Sequence, residues 1–153
     1  MKKYFFAFFT FVVVIACNKD KFQTKPTIKI NSFNNSTVDL GNTLKVSLEV
    51  TDKEGDVEDS LFVVRERLNT RAPSPRILSP VLRYKIPAFP DKSKVEMEVD
   101  IPYSTGLTLN SSPISIPGDP NHKEPDTLNL KFFVRDKGKN VSDTVNKGVI
   151  VIR

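Results

Sequence analysis

A β-sandwich of about seven antiparallel strands is the fold this sequence predicts, on three observations. Apolar and polar residues alternate with period two over several segments, as half-buried strands require. Val, Ile, Thr and Phe are frequent, and they favour a pleated surface. No long helical periodicity is present, and 11 prolines and 6 glycines punctuate the chain.

The first strand is PTIKINSF (26–33). The second is TLKVSLEVT, where Leu44, Val46, Leu48 and Val50 share one face and Lys45, Ser47 and Glu49 the other. The third, SLFVVRERLN (60–69), follows an acidic loop. The fourth, ILSPVLRYKI (77–86), contains Pro80, which withdraws a ladder donor and suits an edge. In the fifth, KVEMEVDI, Val95, Met97, Val99 and Ile101 alternate with Glu96, Glu98 and Asp100. The sixth, LNLKFFVRD, sets Leu128, Leu130, Phe132 and Val134 against Asn129, Lys131, Phe133 and Arg135. The last is DTVNKGVIVI (143–152). Between the fifth and sixth, residues 102–125 form a connection longer than a compact sandwich needs, in which ISI (114–116) can add a short strand.

The chain has 153 residues, 39% hydrophobic and 27% charged, enough for one domain with a core once a targeting segment is set aside. Residues 1–16 read as that segment: Lys2 and Lys3, then an apolar run from Tyr4 to Ile15, then Ala16. Such a run is short of the roughly 20 residues a bilayer span needs and has the length of a signal-peptide core. Without it the formal charge falls from +5 to +3, a mixed surface with a mild cationic excess that argues against nucleic acid. Cys17 is the single cysteine, so no disulfide forms within the chain. Asn18 to Lys25 is a polar tether, at most ~28 Å if fully extended. The expected division is 1–16 signal peptide, 17–25 lipidated cysteine and tether, 26–153 sandwich.

Val14-Ile15-Ala16-Cys17 resembles the lipobox of bacterial lipoproteins. That resemblance implies a diacylglycerol on the Cys17 thiol, cleavage before it and acylation of the new amino group. The strand order, with the loop phrases TDKEGDVEDS and RDKGKNVSDT, resembles the immunoglobulin-like domains of Bacteroidota surface lipoproteins. The implied protein is an outer-membrane lipoprotein facing either side of the membrane. It is a binding or structural module, accessory to an envelope protein complex, with the membrane and an envelope protein or glycan as partners. A Ca2+-stabilised adhesin or glycan-binding module is the alternative.

Candidate sites follow from residue type and spacing. Asp52, Glu54, Asp56, Glu58 and Asp59 crowd one loop, and Asp136 sits in the loop expected at the same end. Asp52, Glu54, Asp56 and Asp136 are the candidate Ca2+ ligands, since Ca2+ takes several hard oxygens. The same residues suit ordinary turn chemistry, with Gly55 and Gly138 supplying positive φ. Arg65, Arg67, Lys131, Phe133 and Arg135 are expected on one outer face, a basic surface with an exposed aromatic that would dock an acidic partner or a glycan. Glu49, Glu96, Glu98 and Asp100 make the other face acidic. Asp59-Ser60-Leu61, Asp126-Thr127-Leu128 and Asp143-Thr144-Val145 resemble the O-glycosylation sequence of exported Bacteroidota proteins, which implies sugar on Ser60, Thr127 and Thr144. His122, the single histidine, lies in a proline-flanked loop without a nucleophile elbow or a zinc motif, so no enzyme and no cofactor are expected beyond the Ca2+ alternative. A carbohydrate-active enzyme would need two carboxylates facing each other across a pocket.

Overall fold

The computed structural model describes residues 25–55, 57, 59–87 and 93–153. Cys17, the lipobox and the tether, apart from Lys25, lie outside them, as do Asp56 and Glu58.

Ten strands are described: β1 (Thr27–Phe33), β2 (Thr37–Val38), β3 (Thr43–Thr51), β4 (Ser60–Arg67), β5 (Ile77–Lys85), β6 (Lys94–Pro102), β7 (Ile114–Ile116), β8 (Asp119–Glu124), β9 (Asp126–Arg135) and β10 (Val145–Val151). They form a three-stranded sheet ordered β1-β3-β6, a five-stranded sheet ordered β2-β10-β9-β4-β5, and the small hairpin β7-β8. The two larger sheets make an immunoglobulin-like sandwich, and all seven expected strands are present. Pro80 lies in β5, an edge strand as expected, where the register with β4 skips between Val63 and Arg65.

The core is the set of inward aliphatics that the alternation selects. Leu44, Val46, Leu48 and Val50 of β3 face Leu61 and Val63 of β4 and Leu128, Leu130, Phe132 and Val134 of β9, all fully buried. Each such side chain contributes about 1.5–3 kcal/mol by leaving water. With one cysteine, this burial carries the fold without a cross-link.

Three features depart from the sequence reading. First, β2 pairs parallel with β10, Thr37 to Ile150 and Val38 to Val151, where only antiparallel pairs were expected. The chain leaves the first sheet after β1 and crosses to the second, so one short strand closes its edge. Second, residues 102–125 are ordered by structure of their own. A π-helical turn spans Tyr103–Leu107, its backbone closed by Thr108 N–H to the Tyr103 carbonyl at 2.9 Å. The Tyr103 hydroxyl donates to the Ile152 carbonyl at 2.8 Å and ties this turn to the end of the second sheet. ISI becomes β7, and β8 turns back on it from Gly118 at φ 81.

The third departure concerns β4. Arg65 and Arg67 were expected outside, and they are 0% and 1% exposed. Strand period two puts them in phase with Leu61 and Val63, on the core side. The outward residues are Phe62, Val64 and Glu66. The apolar run Leu61–Val64 offers both phases, and only the tertiary contacts select one.

The candidate site: one apolar, cationic sheet face beside two turned loops

At the end of the sandwich where the chain enters β1, the 52–59 and 136–143 loops lie together. Lys25 Nζ pairs with Asp143 Oδ1 at 2.6 Å, and Lys139 Nζ of the second loop reaches Asp59 Oδ2 of the first at 3.2 Å. The expectation that these loops share an end is met. Of the carboxylates expected as calcium ligands, Asp52 and Asp136 behave as turn formers. Asp52 Oδ1 accepts the Glu54 N–H at 3.1 Å, and Asp52 is 1% exposed. Asp136 Oδ1 accepts the Asn140 N–H at 2.8 Å, and its Oδ2 accepts the Asn140 amide at 2.9 Å. Gly55 takes φ 73, while in the second loop Lys139, not Gly138, holds the left-handed position at φ 69. Among the described residues no three His, Cys, Asp or Glu side chains are grouped to hold a metal, and Asp56 lies outside them.

The outer faces of the two sheets differ in kind. On the three-stranded sheet three of the four acids pair with lysines: Lys45 Nζ lies 2.8 Å from Glu98 and 3.2 Å from Asp100, and Lys94 Nζ lies 2.8 Å from Glu49. On the five-stranded sheet, period two brings Phe62 of β4 opposite Phe133 of β9. Their rings stack at 4.9 Å between centroids and 10° between planes. The Arg135 and Arg83 guanidinium carbons lie 5.4 and 5.8 Å from the Phe62 centroid. Both arginines also reach Asp59: Arg135 Nε to Oδ2 at 2.8 Å, Arg83 Nη2 to Oδ1 at 3.2 Å. Lys131 pairs with Glu66 at 2.9 Å. Further along this face Val81, Ile150 and Leu68 stand 43%, 44% and 46% exposed. Lys131, Phe133 and Arg135 therefore sit where the sequence placed them. Arg83 and Phe62 were missed, although Phe62 is in phase with Val64 and Glu66.

The two buried arginines have different work. Arg65 Nη1 donates to the Gly106 and Leu109 carbonyls at 2.7 and 2.9 Å, and Nη2 to the Pro80 carbonyl at 2.9 Å. Burial pushes its pKa down. Arg67 Nη2 lies 3.0 Å from Asp126 Oδ2 and also meets the Ser111 hydroxyl, while Arg153 Nε approaches the same carboxylate at 3.5 Å. Burial pushes the Asp126 carboxyl up, against the pull of Arg67 and Arg153.

Of the three expected sugar acceptors, Thr127 and Thr144 are exposed. Ser60 is fully buried, its hydroxyl accepting from Arg83 Nε at 2.7 Å and donating to Asp59 at 3.1 Å. The folded domain does not present Ser60 to a transferase. His122 is 74% exposed on β8, its Nδ1 2.6 Å from Asp119.

Asp59 gives the fold a defined acid response. The Arg135 hydrogen bond holds its carboxyl well below the usual range, with Lys139 and Ser60 adding to the effect against a smaller desolvation cost. Lys131 does the same for Glu66, and Asn69 with Arg71 for Glu124. A carboxyl lowered in the folded state stabilises above its unfolded pKa of about 4, and that stability is lost as pH falls below it. Asp126, raised, acts in the opposite sense. The melting temperature should therefore fall on acidification below about pH 4, and Asp59→Asn should flatten that limb while lowering the neutral-pH plateau. Thermal scans between pH 7 and 2.5 test this; an unchanged acid limb in the variant would contradict it.

No protein family matches this sequence, and no curated protein does. Solved structures align with it distantly. A β-glucosidase from Kluyveromyces marxianus aligns at 15% identity and TM-score 0.47, over 85% of this chain and 14% of that one. One from Listeria innocua aligns at 15% and 0.44, over 84% and 16%. A cohesin module of a Clostridium perfringens family 33 glycoside hydrolase aligns at 15% and 0.31, over 84% and 98%. The chain thus spans about one seventh of the β-glucosidase chains it resembles.

Proposed function

We propose that this chain is a lipid-anchored, non-catalytic binding module of a bacterial outer membrane, which holds an envelope protein against the outer face of its five-stranded sheet. The lipobox at Val14–Cys17 supports the anchor, and two or three acyl chains on one cysteine give a stable attachment where a single chain would not. The observation that carries the binding role is the contrast between the two faces. On one, lysines pair with Glu49, Glu98 and Asp100, as on a face meeting only water. The other carries half-buried stacked aromatics and exposed aliphatics that water does not favour.

Charge selects the kind of partner. On and beside the apolar face, four cations (Arg83, Lys131, Arg135 and Lys139) share two carboxylates, Asp59 and Glu66. The complementary surface is acidic with an apolar centre. A second copy of this chain would set the cationic face against its like.

The test has three parts. Labelled palmitate should enter the native protein and not Cys17→Ala. A partner cross-linked at this face in intact cells should, once identified and purified, bind the native domain and lose at least tenfold affinity for Val81→Glu and Ile150→Glu. Both positions are exposed, so the core stays intact. The affinity should weaken with salt. Undiminished binding by both variants, or self-association through this face in solution, would overturn the reading.

A further inference from the structure

A separate cleft opens on the side of the sandwich, between β1 and β10. It encloses about 590 Å3, within the range of small-ligand sites, and is lined by residues 30–36 with Asn146 and Lys147. Its shape comes from the strand crossover. The register of β1 slips at Asn31, between Ile30 and Ser32, and the strand then stays paired with β3 as far as Phe33. Asn34 then fixes the departure: its amide donates to the Thr43 carbonyl at 3.0 Å, and its Oδ1 accepts Lys45 N–H at 2.9 Å and Asn35 N–H at 3.0 Å. Beyond it the chain joins β10, where Ile150 N–H meets the Ser36 carbonyl at 2.8 Å. Period two along β10 points the Asn146 N–H toward the same edge as Ile150, and β2 begins too late to cover it.

We infer that this cleft is a subsite for an acidic oligosaccharide. Asn34 is spent on structure, whereas the Asn35 and Asn146 amides and the Ser32 and Ser36 hydroxyls make no hydrogen bond among the described residues. An amide offers two donors and an acceptor in one plane, matching vicinal sugar hydroxyls that each donate and accept. Phe33 supplies the apolar platform. Its ring stands edge-on to buried Phe132 at 6.3 Å and 69°, and Lys147 Nζ lies 5.8 Å from its centroid. Sugar C–H groups would rest against this half-buried ring beside Lys147. Among the described residues Lys147 is the one ionisable group lining the cleft, and no carboxylate lines it. A sugar carboxylate would find a cation there and no repulsion.

Asn146 stands opposite Lys131, at the rim of the sheet face, and Lys147 opposite Leu130, so Lys147→Ala and Val81→Glu separate the cleft from that face. Native-gel retardation on polygalacturonate and on a soluble neutral glucan would be read for the native domain, Asn35→Ala/Asn146→Ala, Lys147→Ala and Val81→Glu. All four substituted positions are exposed. The native domain and Val81→Glu should be retarded by polygalacturonate. The double variant should lose at least tenfold in affinity, and Lys147→Ala should remove the preference over the neutral glucan. No retardation by polygalacturonate, equal retardation by the glucan, or an unaffected double variant would each overturn it.

Discussion

Replacing Arg65 with methionine should lower the unfolding free energy by about 2–4 kcal/mol, through one buried carbonyl that loses its donor at about 1–3 kcal/mol and two part-buried ones that lose less. Methionine fills most of the stem's volume, so the loss reports hydrogen bonding more than a cavity. The carbonyls belong to Gly106, Leu109 and Pro80, so one guanidinium fastens the π-helical turn and the edge strand to the centre of β4. Removing the cation also removes its own desolvation cost, which bounds the loss from above. Denaturant titration gives the number, and a variant within 1 kcal/mol of the parent would mean that the two terms cancel. The same cradle can be strained from the other side. A Cβ on Gly106 would lie 2.7 Å from Ile101 Cγ2, and Ile101 is fully buried. Gly106→Ala should therefore cost about 1–3 kcal/mol by overpacking.

Arg67 and Asp126 should behave as a coupled pair. Arg67→Leu leaves a buried carboxylate facing Arg153 and the Ser111 hydroxyl, and should cost about 3–5 kcal/mol; Asp126→Leu leaves the guanidinium and should cost a similar amount. The double replacement removes both charges but leaves Arg153 without its carboxylate, so it should cost clearly less than the sum of the single variants, giving a large coupling energy in the cycle. The pH dependence carries its own signature. The Asp126 carboxyl is already raised by burial, and losing Arg67 raises it further. A raised folded pKa means that stability falls as pH rises through it, so Arg67→Leu should recover part of its loss as pH drops through that raised pKa. Simple additivity of the two single variants would show that the pair is not coupled.

How far these features could be read beforehand depended on whether neighbours in sequence decide them. The second, fifth and sixth expected strands present aliphatics in one phase and charges in the other, and their faces were legible at once. In Leu61–Val64 both phases are apolar. The general preference for exposed charge then assigned Arg65 and Arg67 outward, against the phase of Leu61 and Val63. What reverses that preference is a set of carbonyls some 40 residues away, which no local pattern displays. The β8 segment DPNHKE has little strand propensity and is held by its pairing with β7. For the site, Lys131, Phe133 and Arg135 were legible from alternation. Arg83 joins them only because β5 lies beside β4, and the β1–β10 cleft exists only because the strand changes sheets.

The Lys25–Asp143 contact sets a direction for the whole domain. A lipid on Cys17 would seat the molecule on the pole that holds the 52–59 and 136–143 loops, with β7 and β8 at the far pole. Ten residues of β9 separate the poles by roughly 33 Å, several Debye lengths at physiological salt. Headgroup charge would then act on the lower pole alone. On such an anchor, strands rising from the bilayer would hold the aromatic face upright, like a wall. A partner would meet it sideways, sharing the same leaflet, and the encounter would become a search in two dimensions.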